Sequence, residues 1–143
     1  MRFPPIDRFL LLIVTLGLCA TLVELVLEEH TESFFQWIPI GLIAAALGAL
    51  AWNQITQGAA SGRVLRVLWV LFLVSGVVGV GLHWKGKIEF QLESSPSLSG
   101  WDLFRQAMKS KTPPALAPGV MVQFGLVGLA FQAAQKARRS KEK

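Results

Sequence analysis

The chain holds two histidines, and each stands beside carboxylates. His30 closes ELVLEEH (24–30), which carries Glu24, Glu28 and Glu29; His83 opens HWKGKIEFQLE (83–93), which carries Glu89 and Glu93. Carboxylate and imidazole together suit zinc, manganese or iron. The divalent-metal set drawn from these residues is Glu24, Glu28 and His83, with His30 or Glu89 in support. Glu24 and Glu28 are four residues apart, so a helix places them on one face, and Thr21 and Gly17 continue that stripe. Glu24 also fits a second chemistry. A carboxylate inside an apolar run costs about 3 kcal/mol at mid-membrane and needs a partner or a proton, which suits proton coupling. The structural alternative is a Glu24 hydrated at the membrane boundary or paired with Lys85 or Lys87. Spacings that would make a metal site specific are missing: there is no Glu-x-x-His, no H-E-x-x-H and, with Cys19 alone, no cysteine pair. A haem held between His30 and His83 would take one ligand from a loop. SGVVGVG (75–81) lies inside an apolar run, where a phosphate-cradling loop cannot operate. No serine–histidine–carboxylate spacing supports an enzyme, and one acting on lipid or quinone would need an inward pocket.

The elements that must position these residues are membrane spans. Hydrophobic residues make up 52% and charged residues 16% of 143, and the charges fall in clusters. A soluble domain carries about a quarter charged residues, so this makeup points to a bilayer. A spanning helix needs about 20 mostly apolar residues. Four stretches qualify, at about 9–27, 34–55, 64–84 and 118–135, with Pro118 suited to a first helical turn. The first also reads as a cleavable signal peptide, but its small-x-small cleavage sites are poor. Leu18 before Cys19 is too large for a lipoprotein box, so a retained span is the better reading.

Orientation follows from lysine and arginine placement. With both ends cytoplasmic, the inner side holds nine cations and two acids, and the outer side five cations and seven acids. The cationic excess is therefore a topology signal. It attracts anionic inner-leaflet lipid through the basic tail (136–143) and gives no reason to invoke nucleic acid. Both histidine-bearing tips then reach the outer surface.

Between spans three and four lies an outer cap (85–117). KIEFQLE (87–93) alternates, with Ile88, Phe90 and Leu92 on one face, and predicts a half-buried strand. In 98–110, Trp101, Phe104 and Met108 fall at helical spacing after a capping-box pair, Ser99 and Asp102. This predicts a short amphipathic helix, lying on the membrane surface or packed on the spans. These six apolar residues are the surfaces expected to meet a protein partner or a second copy. Trp37, Trp52, Trp69, Trp84 and Trp101 are expected in an aromatic belt. Gln123 is expected to bond across the spans, and the glycines of 75–81 and the small residues Ala44, Ala45, Gly48 and Ala49 to permit close helix contact.

At LEEH (27–30), WIP (37–39), HWKGKIEFQLE and TPPALAPGVMVQFGLVGLAF (112–131), the chain resembles small bacterial four-span membrane proteins with no assigned activity. The resemblance covers most of the length after residue 8 and is most specific from His83 to Gly128. It implies a multi-pass inner-membrane protein and supplies no catalytic residue. The reading is thus a single all-α membrane domain over 1–143: four transmembrane helices in an antiparallel bundle, with a strand-like segment and a short helix outside. Its function reads first as a non-enzymatic accessory subunit of a membrane assembly, then as a metal-binding or proton-coupled protein, then as a membrane-embedded enzyme.

Overall fold

The computed structural model describes residues 5–29, 34–109 and 116–141. These form five helices: α1 (Ile6–Leu27), α2 (Phe34–Thr56), α3 (Ala59–Ser94), α4 (Gly100–Met108) and α5 (Leu116–Lys141). No strand occurs among the described residues. α1, α2 and α3, of 22, 23 and 36 residues, are long and apolar enough to cross a membrane. At 1.5 Å per residue, α3 is about 54 Å long, well beyond an apolar bilayer core of about 30 Å. α5 covers the fourth apolar stretch but is broken up by Gln123, Gln132 and Gln135. Apolar side chains cover the outer faces of α1, of α2 and of the middle of α3. Leu12, Leu16, Val23, Ile55, Val67 and Val77 are each more than half exposed. Helices apolar all round belong in lipid, not in water.

The long helices pack in a ring, α1 against α2 and α5, and α3 against α2 and α5. The core is the line of residues that face inward: Val14 and Leu18 of α1, Ile43 and Leu50 of α2, Leu65, Trp69 and Phe72 of α3, and Phe124 and Phe131 of α5. Phe72 sits edge-on to Phe124 at 6.1 Å, a favoured aromatic geometry.

Close approach of α3 and α5 depends on glycine. A Cβ at Gly76 would lie 2.6 Å from Val122 Cγ2 and 2.9 Å from the Pro118 carbonyl oxygen, and one at Gly79 2.8 Å from Pro118 Cβ. A Cβ at Gly125 would lie 2.7 Å from Leu73 Cδ2 and 2.8 Å from the Trp69 carbonyl oxygen, and one at Gly128 would run into the Trp69 indole. Partner numbers fall along α5 as they rise along α3, so the two run antiparallel. Where lipid leaves no hydrophobic drive between helices, such small-residue faces allow the backbone approach that holds them. In α2, by contrast, a Cβ at Gly48 would meet nothing, and Ala44 and Ala45 are exposed. The inward face of α2 is instead Ile43, Ala46, Ala49, Leu50 and Asn53.

Several expectations are corrected. Residues 87–93 are the end of α3, not a strand. Trp84, Lys87, Ile88 and Gln91 are its half-buried positions, a helical spacing that splits Ile88 from the exposed Phe90. The run is too short for alternation to outweigh a helix arriving from the membrane, and Gly86 within it costs only about 1 kcal/mol. Trp69 is fully buried in the core and belongs to no belt, whereas Trp37, Trp52 and Trp101 are exposed. Gln123 is exposed, and Gln132 and Gln135 make the cross-helix bonds. α4 forms where the short helix was expected. Ser99 is its N-cap residue in extended backbone, though without a side-chain cap bond. α4 packs on the end of α3, with Phe104 between Trp84 (5.1 Å) and Trp101 (4.9 Å) and Ala107 buried.

Buried polar groups gather at one end. Asn53 and Ser61 are 1% exposed. Ser61 Oγ lies 3.0 Å from both Asn53 Oδ1 and the Gly58 carbonyl oxygen and gives its single proton to one at a time. Asn53 Nδ2 reaches Gln135 Oε1 at 3.5 Å, and Gln132 Nε2 donates to the Gly62 carbonyl at 2.7 Å. At the same end Arg138 Nε donates to Asp7 Oδ2 at 3.0 Å, tying the start of α1 to the end of α5.

Candidate functional site

At the opposite end the helices part to leave a pocket of about 700 Å³. That volume falls in the range of small-molecule sites, about 300–1,000 Å³. Each wall has a cause in the local sequence. α1 contributes Thr21 and Leu25, one turn apart on a helix face. α2 contributes Phe35, Gln36 and Pro39. Pro39 lies inside the helix and has no N–H, so the Phe35 carbonyl one turn back lacks its usual helical donor. α3 contributes Ser75, Val78, Leu82, His83 and Lys87, at the three- and four-residue spacing of one stripe. Pro118 and Met121 of α5 close the floor.

The wall is mostly apolar, with a graded polar side. Ser75 and Thr21 lie deepest along their helices; Gln36, His83 and Lys87 lie toward the helix ends. Lys87 brings a long apolar stem and a cationic head to the lining. Such a surface takes a molecule with an apolar body and a polar or anionic head.

The residues expected to do chemistry are distributed unevenly around this pocket. His83 lines it. Glu24 and Glu28 do not: both are exposed, at and just beyond the last turn of α1. Each residue turns a helix by about 100°, so placing Leu25 against the pocket rotates Glu24 away from it. Glu28 is the C-cap of α1, and its N–H bonds the Glu24 carbonyl at 2.9 Å; Glu29 follows with φ 51, a left-handed turn that ends the helix. Glu28 and Glu29 therefore terminate α1. His30 lies outside the described residues. Among those described, no group of three or more His, Cys, Asp or Glu is placed to hold a metal ion. Glu89 pairs with Lys85 at 3.6 Å on the exposed flank of α3.

Of the six apolar positions expected to meet a partner, Phe90 lines the rim of the pocket. Phe90 and Trp101 are 61% and 71% exposed, while Leu92, Phe104 and Met108 are near 40%. Ile88 is half-buried. Sequence reasoning missed Thr21, Gln36, Ser75 and Lys87 as one group. The signal it held was weak: isolated polar residues inside apolar runs, each also readable as harmless.

No protein-family model matches the chain, and neither a characterised protein nor a solved structure shows significant similarity to it.

Proposed function

We propose that this is a four-crossing inner-membrane protein with both termini cytoplasmic, and that it binds an amphipathic, lipid-soluble molecule without transforming it. The pocket carries this reading: apolar walls, a polar and cationic edge at His83 and Lys87, and a place among helices apolar enough for a bilayer. α5 is the fourth crossing. Support comes from Arg138 meeting Asp7, which holds the start of α1 and the end of α5 together, as an even number of crossings requires. The basic residues of α5's last turns favour the cytoplasmic side for that end.

The test is lipid and quinone analysis of the protein purified in mild detergent, wild type beside Gly86→Phe. Gly86 lines the pocket and has open space where a Cβ would sit, so a ring there occupies the pocket without striking backbone. The expected result is an amphiphile recovered near one per chain from wild type and depleted at least about tenfold by the variant, because its buried surface is displaced. Equal recovery from both, or none from wild type, would refute it. A second reading, an accessory subunit in a larger assembly, is favoured by the exposed Phe90 and Trp101 on the cap. It requires a stable larger complex that Trp101→Ser disperses.

A further inference from the structure

The buried polar end holds a second cavity, independent of the pocket above. It is a cleft of about 540 Å³ between the first turns of α3 and the last turns of α5. Arg63 and Arg66 line one side, and Lys136 and Arg139 the other. No carboxylate contributes to the lining. Among the described residues none of these four cations has an ion-pair partner, and Asp7, the acid at this end, is held by Arg138. Four like charges around one cavity repel each other and create a strong positive potential, which an anion relieves.

The cleft is built, not just lined. Arg139 is fixed by Nη1 on the Gln57 carbonyl at 3.0 Å and Nη2 on Gln57 Oε1 at 3.3 Å, and its buried Nε makes no bond among the described residues. Gln132 is fixed through Nε2 on the Gly62 carbonyl at 2.7 Å, which leaves Arg139 Nε as the buried, unpartnered donor of the cleft among the described residues. α3 has Gly58 as its N-cap, without a side-chain cap bond, and no acid in its first turn. Its positive end therefore adds to the arginines.

A soluble anion and a lipid headgroup offer the same phosphate, but the surface beside the cleft distinguishes them. Val67 follows Arg63 by one turn, and Val70 follows Arg66 by one turn, on the same stripe of α3. Both valines and Val74 beyond them are exposed, in a helix apolar enough to cross a membrane. A phosphate seated between Arg66 and Lys136 has apolar surface running away from it toward the bilayer centre.

We propose that this cleft seats the phosphate of an anionic phospholipid, with its acyl chains along Val67, Val70 and Val74. The proposal rests on α3 being a membrane span; it does not depend on the other pocket being occupied.

The full chain in detergent is tested by native mass spectrometry and by thermal unfolding, with added phosphatidylglycerol or phosphatidylcholine. The wild type is expected to prefer phosphatidylglycerol by at least about tenfold, since both lipids offer a phosphate but the choline of phosphatidylcholine brings a fifth cation to a cleft already lined by four. Arg66→Gln with Lys136→Gln is expected to abolish that preference. The control, Lys85→Gln with Lys109→Gln, removes the same charge at the other end and is expected to keep it. Helix content and elution volume establish that each variant is folded. If the double variant unfolds, Arg66→Gln and Arg66→Lys are compared singly, and only the former is expected to weaken the preference. Inorganic phosphate is the competing arm: stabilisation by phosphate equal to that by the lipid would overturn the lipid assignment. A wild type without preference, or a control that loses as much as the double variant, would overturn the site.

Discussion

The pair between Asp7 and Arg138 joins residues 131 positions apart, and breaking it should unfasten the start of α1 from the end of α5. Its geometry is good, 3.0 Å, with the Asp7 side chain 4% and the Arg138 side chain 31% exposed. At that distance and an effective dielectric of about 20, the attraction is about 5 kcal/mol. Desolvation offsets much of it, and the partial exposure of Arg138 screens it further. Asp7→Asn keeps the shape but leaves the guanidinium without its counter-charge. The expected cost is about 2 kcal/mol, below the 3–5 of a fully enclosed pair, or about a thirtyfold change in the folded ratio. Unfolding in mixed detergent micelles, followed by helix content and by tryptophan fluorescence, reads it. Arg138 makes a further interaction, so Arg138→Gln alone is ambiguous. The double-mutant cycle isolates the pair and should return a coupling of at least about 1 kcal/mol. Asp7→Asn within about 0.5 kcal/mol of wild type, the range of a neutral surface change, together with a coupling near zero, would refute the reasoning.

Gly125→Val places branched atoms against Leu73 and the Trp69 backbone and should cost about 1–3 kcal/mol or more in the same assay. Gly48→Ala, mid-helix with nothing near its Cβ, should be neutral or stabilise by up to about 1 kcal/mol; the reverse order for these two would undo the account of α3–α5 packing. Cys19 is exposed near the middle of α1, so in intact membranes it should resist a charged maleimide from either side and react only after detergent is added. Rapid labelling without detergent would remove α1 from the bilayer. Glu24→Gln should leave stability within about 0.5 kcal/mol, since the side chain is exposed; a large loss would restore a buried role to it.

The spans were legible because a bilayer demands long apolar runs, and α1, α2 and α3 appear where those runs lie. α4 was legible from the spacing of Trp101, Phe104 and Met108. Two features were not, for the same physical reason: each depends on how a helix is rotated about its axis. Glu24 is one residue from Leu25 in sequence, yet one side chain is exposed and the other faces the pocket. In a chain apolar on every side, hydrophobic periodicity, which reports rotation in soluble helices, carries almost no signal. Trp69 shows the same loss. It looked like a membrane-boundary tryptophan, and only Gly128, 59 positions later, makes the space that buries it.

That dependence of α3 on α5 also explains why the apolar pocket lies at one end of the molecule. From Trp69 to Gly79 the two helices touch through glycine, and at the basic end Gln132, Gln135, Asn53 and Ser61 bind them to each other and to α2. α1 reaches into this pair at Gly17, where Phe124 fills the space a Cβ would need. Beyond Gly79 the glycine contacts stop, α3 continues out past its partner, and the side chains facing inward are Leu82, His83 and Lys87 against Leu25 and Phe35. A helix pair held by glycine contacts up to Gly79 and spread beyond it leaves room for the apolar pocket where it spreads. The same packing that places four cations around a cleft at the base therefore leaves an apolar pocket at the far end.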